Sequence, residues 1–318
     1  MFDRVLVPLD ASQLAECVLP HVVAVASTFE AQVTLLHVLE RGETAGRAVP
    51  IDPLVWHIGK AEARAYLDGV AARLGDAGVR ADTELLEGRA ARTVVEFATS
   101  RDAGLVILGS HGRSGLSGWN VSSVAQQIIL RVRRSVMIVR AYQPTVEHLA
   151  AVHYRRVLVP LDSSQRAEWV LPAVTTLAGV HGSHIVVAHA VSRPELPFRE
   201  PLSPDDTQLA DQLEQRNWRE ATAYLEQLLL RLPPGAETRL LKTENVTVAL
   251  HDLADREQVD LVVLSAHGYS GATRFPYGSH VVSFIAYGST PLLIIQDLAP
   301  TEVEPTVAEV AAGERPGH

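Results

Sequence analysis

Residues 4–10, RVLVPLD, recur letter for letter at 156–162. The offset of 152 also carries Pro20 to Pro172 and His37 to His189, and it has drifted to 156 where LVILGSHG (105–112) meets LVVLSAHG (261–268). Between these points EARAYLDGVAARL (62–74) resembles EATAYLEQLLLRL (220–232). Each copy is close to the roughly 150 residues of an ordinary domain, so the repeat calls for two similar units in tandem. The first unit is expected over 1–142 and the second over 155–298, joined by the polar segment QPTVEHLAAVHY (143–154). Residues 299–318 contain Glu, Pro and Gly with little periodicity and are expected to form a flexible acidic tail.

Within each unit, strand and helix signals alternate. VLVPL is an apolar run without polar alternation, as a parallel strand covered on both faces requires, and Leu14, Val18, Val22 and Val25 follow at helical spacing. The first unit continues with QVTLLHV, a helix around 54–75, VRADTELL, a helix around 91–101, GLVILG, a helix around 122–133 and SVMIVR. The second repeats the order through IVVAHA, a helix around 206–231, AETRLLK, a helix around 247–256, DLVVLS, a helix around 279–287 and PLLIIQ. This is the pattern of an α/β fold with a doubly wound parallel sheet of five strands in each half, order 3-2-1-4-5, and helices on both faces. The final strands, SVMIVR and PLLIIQ, lie at sheet edges that need cover, and the two halves are expected to pair there as an intramolecular pseudo-dimer. A homodimer of two chains is allowed beyond that.

In such a sheet the ligand crevice lies at the carboxyl ends of the strands where the order reverses, here between strands one and four. Pro8, Asp10 and Ser12 follow strand one. GSHGRSGLSG (109–118) follows strand four and leads into a helix beginning near Ser122. Glycine permits close backbone approach and a helix start offers unpaired N–H groups, a combination suited to phosphate. No GK[ST] occurs, so this is not a Walker loop, and no GxGxxG follows strand one.

The opening VLVPLD, the strand LLHV, and a spacing of Gly, two residues, Gly, nine residues, then Gly and Ser or Thr resemble the universal stress protein family in its tandem form. The resemblance covers both halves and leaves out only the tail. Members with the intact signature bind ATP and others bind no nucleotide. The first half reads Gly109, Gly112, then Ser122-Ser123 in place of Gly-Ser; the second reads Ser265, Gly268, then Gly278-Ser279. The resemblance implies that Pro8, Asp10 and Val38, with counterparts Pro160, Asp162 and Ala190, meet adenine and ribose. It also implies that Gly109, Ser110, His111, Gly112, Arg113, Ser114 and Gly115, with Ser122, Ser123 and Val124 at the helix start, form the first phosphate loop. In the second half these become Ser265, Ala266, His267, Gly268, Tyr269, Ser270 and Gly271, with Gly278, Ser279 and His280. The implied cofactor is ATP, or ADP or AMP, with Mg²⁺ arriving on the nucleotide.

The two departures from the signature differ in their expected effects. The resemblance places the Ser265 hydroxyl on the ribose side, where a sugar oxygen accepts or donates. Ser122 stands beside the phosphates, where serine caps its own helix and competes for the same N–H groups. Arg113 in the first loop can neutralise phosphate charge, and Tyr269 stands in its place in the second. The second site is therefore expected to be better formed and the first better charged. On spacing alone Asp10 and Asp162 read equally as helix N-caps; the resemblance favours ligand contact. His37 and His189 are expected to be structurally satisfied, His111 and His267 to act through their backbone, and Cys17 to pack. Trp56, Tyr66, Trp169, Trp218 and Tyr224 are expected to pack within helical layers.

Composition narrows the function. The balance of 28 basic against 37 acidic residues gives a net charge of −9, which disfavours nucleic acid and anionic lipid as partners. The N-terminus MFDRVLVPLD lacks a signal-peptide pattern and no run approaches the roughly 18 apolar residues of a membrane helix, so a cytoplasmic location is expected. Thirteen histidines show no HExxH or CxxC spacing, and no protein metal site is expected. The expected role is an ATP-binding stress-response sensor or regulator with an unidentified protein partner and at most slow ATP hydrolysis. A hydrolase using Ser114 or Ser270 would require G-x-S-x-G around the nucleophile, which neither has. A scaffold with degenerate loops that binds no nucleotide is the alternative.

Overall fold

The computed structural model describes residues 1–40, 43–44, 47–48, 52–113, 121–141, 149, 152–193, 203–269 and 276–298. The proposed tail and Ser114, Gly115, Ser270 and Gly271 lie outside the described residues. The first half runs β1 (Arg4–Pro8), a 3-10 turn (Ala15–Val18), α1 (Leu19–Phe29), β2 (Gln32–Leu39), the two-residue strands β3 (Glu43–Thr44) and β4 (Arg47–Ala48), α2 (Pro53–Asp76), β5 (Ala81–Glu87), α3 (Ala90–Ser100), β6 (Leu105–Gly109), α4 (Ser123–Arg131) and β7 (Ser135–Val139). The second half runs β8 (Arg156–Pro160), a 3-10 turn (Ala167–Val170), α5 (Leu171–His181), β9 (His184–Val191), α6 (Pro204–Leu229), β10 (Glu237–Lys242), α7 (Val246–Arg256), β11 (Leu261–Ser265), α8 (Ser279–Tyr287) and β12 (Leu292–Ile295).

Local chemistry sets these limits. The periodicity beginning at Leu14 becomes a 3-10 turn before α1 because Pro20, near the helix start, supplies no N–H; Pro172 repeats this in α5. Asp52 accepts the Leu54 N–H at 2.8 Å ahead of Pro53, and Ser203 and Asp206 form a reciprocal capping box ahead of the long α6. The inner strands are valine- and leucine-rich and buried on both faces, as parallel strands between helical layers must be, while the outermost β5 and β10 are only partly buried.

The two five-stranded sheets are one sheet of ten strands, ordered β10-β9-β8-β11-β12-β7-β6-β1-β2-β5. Within each half every neighbour is parallel, in the order 3-2-1-4-5, while β7 and β12 pair antiparallel with Ile138 opposite Leu292 and Val136 opposite Ile294. Both apolar layers cross this joint: Met137 and Val139 share one core with Leu293 and Ile295, and Val136 and Ile138 share the other with Leu292 and Ile294.

Polar contacts also cross it. Arg140, fully buried, donates to the carbonyls of Phe284 (2.7 Å), Ile285 (3.3 Å) and Thr290 (3.4 Å), so a cation meets the negative end of α8. The buried Tyr277 hydroxyl donates to Ile129 O in the last turn of α4 at 2.8 Å. On the opposite face α1 packs against α5, with Thr28 Oγ1 3.0 Å from His181 Nε2. Tyr154 enters this layer with 0% exposure, its hydroxyl 2.8 Å from His21 Nδ1. The end of the expected polar linker is thus core, because a tyrosine whose hydroxyl has a buried partner can be enclosed. Trp169 departs from expectation in the other direction. It is 57% exposed on the 3-10 turn, where only one face of so short an element can be covered.

Candidate functional site

The strand order reverses between β1 and β6 and again between β8 and β11, and a cavity opens at the carboxyl ends of each pair. The first, of about 110 Å³, is lined by Pro8, Asp10, Val38, Gly109, His111, Gly112, Ser122 and Val124, among others. The second, of about 240 Å³, is lined by Pro160, Asp162, Ala190, Ser265, Ala266, His267, Gly268, Tyr269, Gly278, Ser279 and His280, again among others. Most of the expected residues of each half therefore meet around one space. Ser110, Arg113 and Ser123 do not line the first cavity. Ser110 is fully buried; its hydroxyl lies 3.1 Å from His111 Nδ1 and accepts the Ala141 N–H at 3.0 Å, so it holds the loop from behind.

Asp10 and Asp162 take the same unexpected role in both halves. One oxygen of Asp10 accepts the N–H and the hydroxyl of Ser12 at 3.1 and 2.6 Å, and the other accepts the Arg113 N–H from the glycine loop. Asp162 does the same with Ser164 (3.0 and 2.6 Å) and the Tyr269 N–H (2.6 Å). Neither is a helix N-cap. Ser12 and Ser164 instead accept the Ala15 and Ala167 N–H groups at 3.1 Å. Each aspartate ties the loop after the first strand to the loop after the fourth. The glycines beneath them leave room for this: a Cβ on Gly112 or Gly268 would overlap the carboxylate of Asp10 or Asp162, which would have to shift. The residues just after the aspartates, Ala11 and Ser163, take left-handed conformations with φ 62° and 67°. Such a conformation costs a non-glycine residue about 1–2 kcal/mol, and finding it twice marks a turn held by its surroundings.

The helix starts beside the two cavities differ. Ser122 caps α4, its hydroxyl accepting the Ala125 N–H at 3.3 Å, whereas Gly278 leaves the start of α8 with no side-chain cap. The N–H groups at the head of α8 are correspondingly open to an anion. Ser265 Oγ is buried without a hydrogen-bond partner among the described residues, at a cost of about 1–3 kcal/mol that a ligand oxygen would remove. His280 Nδ1 lies 3.0 Å from Thr247 Oγ1, joining α8 to α7, and burial lowers its pKa.

His37 and His189 each donate Nδ1–H to a carbonyl, Leu9 O at 2.7 Å and Leu161 O at 2.8 Å, and burial lowers the pKa of both. His267 Nδ1 meets Asp297 Oδ1 at 2.7 Å, a partner without counterpart in the first half, where Ala141 occupies the equivalent position. Cys17 is buried, and desolvation pushes its thiol up to about 12, so it packs rather than reacts. Among the described residues no three His, Cys, Asp or Glu side chains are grouped to hold a metal ion, and no helix is long and apolar enough to cross a membrane.

The apolar walls of the cavities were missed from the sequence. Ala90 and Val94 of α3 with Ile128 of α4 close the first, and Val246 and Leu250 of α7 close the second. Their spacing of four was the available signal, since it aligns both residues of each pair on one helix face.

The chain matches the family model described as the universal stress protein family over residues 1–140 and again over 153–296. It is 28% identical over 143 residues to Universal stress protein MJ0531 of Methanocaldococcus jannaschii, covering 44% of this chain and 83% of that protein. A Universal stress protein of Mycolicibacterium smegmatis is 23% identical over 306 residues, covering 92% of this chain and 96% of its own. Among solved structures, the functionally unknown protein PA1789 of Pseudomonas aeruginosa superposes with a TM-score of 0.67 at 14% identity, over 93% of this chain and 92% of that one. A universal stress protein of Archaeoglobus fulgidus gives 0.62 at 16% identity, over 94% and 100%. With the family model matched twice and two equivalent crevices at two equivalent switch points, the chain belongs to the universal stress protein family and carries two of its domains in tandem.

Proposed function

We propose that the chain is an adenine-nucleotide-binding regulator of the stress response, with the second crevice as its stronger site. The observation that supports this best is duplication. Both halves place a proline, a loop-tying aspartate, a glycine loop and a helix start around a cavity at the same topological point. ATP fits the donors present: unprotected N–H groups at the head of α8, backbone groups of the loop at Gly268, and the unpartnered hydroxyl of Ser265. Mg²⁺ would come with the phosphates, which supply its ligands, and would neutralise charge there.

The reading extends to activity, assembly and location. In this reading ATP turnover is slow and the protein works by binding. The two halves act as a pseudo-dimer through β7 and β12, and the regulated target is another protein, reached in the cytoplasm. The smaller first cavity, with Ser122 capping its helix, favours a second reading for that half alone, as a scaffold that binds nucleotide weakly or not at all. Denaturing freshly purified protein never exposed to added nucleotide, and counting the adenine nucleotide released by mass spectrometry, tests the proposal. About one per chain is expected, and none, with no retention of added ATP–Mg²⁺, would leave the scaffold reading for both halves.

A further inference from the structure

We propose that the two crevices are coupled, occupancy of either one raising the affinity of the other, through two crossed hydrogen-bond links at the joint between the halves. The inference rests on the nucleotide reading above and goes beyond it by assigning a communication route.

The helices that face the two ligands at their N-termini, α4 and α8, are each gripped near the C-terminal end by the opposite half. Tyr277 precedes Gly278, the first residue of the second phosphate end, and its hydroxyl holds Ile129 O in α4 at 2.8 Å. Arg140 holds the Phe284 and Ile285 carbonyls of α8 at 2.7 and 3.3 Å. Its sequence neighbours grip the first glycine loop: Val139 O accepts the Ser110 N–H at 2.8 Å, and the Ala141 N–H reaches Ser110 Oγ at 3.0 Å. Ser110 O in turn accepts the Ser122 N–H at 2.7 Å, at the head of α4. Each phosphate loop therefore lies one residue from a side chain that fixes the far end of the other site's helix.

The links use different chemistry on the two sides. At the pseudo-equivalent positions Val121 stands for Tyr277 and Gln296 for Arg140, so neither contact arises from the repeat itself. Both donors are buried, and so are Ile129 and Phe284, whose carbonyls they hold, so a partner lost there is poorly replaced by water. A ligand that orders Gly278 also orders Tyr277, which fixes α4 and the direction of the N–H groups at its start. The reverse path runs from the first loop through Arg140 to α8. Any such coupling is reciprocal, and its usual size is about fivefold or more in affinity.

The test uses the full chain with its first crevice closed by Gly112→Ala, loaded with ATP–Mg²⁺ and followed by amide hydrogen exchange. Ligand in the second crevice should slow exchange at Gly278–His280 and also, about fivefold or more, in α4. Tyr277→Phe should keep the first response and lose the second. Slowing at Gly278–His280 with α4 unchanged would overturn the coupling while leaving nucleotide binding intact, as would an α4 response that survives Tyr277→Phe. No slowing at either place would remove the nucleotide reading and the coupling with it. If Tyr277→Phe does not fold, the mirror experiment serves, with Gly268→Ala closing the second crevice and Arg140→Met, which has no N–H donor, cutting the reverse link. The first crevice's ligand should then slow exchange at the C-terminal turn of α8 only while Arg140 is present, and a response indifferent to that substitution would overturn the proposal.

Discussion

Asp10 and Asp162 show how one side chain organises a crevice. Each has both carboxylate oxygens engaged by backbone or hydroxyl groups of two loops, so its first task is to set the distance between those loops. The overlap that a Cβ would make at Gly112 or Gly268 converts this into a prediction. Gly268→Ala should displace Asp162, lower stability by about 1–3 kcal/mol, as other overpacking does, and abolish ATP binding in the second half; thermal melting and titration check both. A second residue-scale consequence concerns His21. Burial holds its imidazole at about 4 against an ordinary 6.5, so it stays neutral in the fold while the unfolded chain takes up a proton as pH falls through 6.5. Stability should be full above pH 6.5 and decline towards pH 4, with His21 contributing roughly 3 kcal/mol of the loss. Burial lowers the pKa of His37, His181, His189, His251 and His280 as well, so all act in the same direction. Denaturant unfolding at pH 7.5 and 4.5 should show a smaller difference in His21→Gln than in the unaltered chain, and an equal difference would refute the assignment.

At the scale of elements, the proposed function makes the heads of α4 and α8 decide how well each half holds an anion. Ser122 spends its hydroxyl on the Ala125 N–H, whereas Gly278 leaves the corresponding groups open. Ser122→Gly should cost only a few tenths of a kcal/mol in stability and raise first-site affinity for ATP several-fold, read by calorimetry. Gly278→Ser should weaken the second site by a similar factor. Much of this was legible in the residues: the order of strands and helices followed from apolar runs and periodicity, and the competing role of Ser122 followed from its residue type. Other features were not legible because they depend on contacts between distant segments. Nothing near Asp10 announces that it will bind the N–H of Arg113, and Ser110 looks like a loop ligand until its burial behind His111 is seen. The 3-10 turns before α1 and α5 hide for the opposite reason, since Leu14 and Val18 keep a helical spacing through them.

For the whole molecule, the joint between β7 and β12 makes one sheet of two repeats. Its existence was readable from two apolar edge strands, but not the devices that seal it, because Arg140 and Tyr277 have no counterparts across the repeat. Arg140→Leu removes a buried donor from the carbonyls of buried Phe284 and half-buried Ile285 and Thr290 and should lower stability by about 1–3 kcal/mol, measured by denaturant unfolding. Residues 1–142 produced alone would expose the β7 edge; light scattering should find them self-associated, and a strict monomer would contradict this view of the joint.

The central claim, that the duplicated crevices bind adenine nucleotide unequally, is tested most directly by calorimetric titration of nucleotide-free protein with ATP–Mg²⁺. Two sites per chain are predicted, the tighter one lost in Gly268→Ala and the weaker one lost in Gly112→Ala. The absence of any binding heat, together with a melting temperature unmoved by saturating ATP, would contradict it.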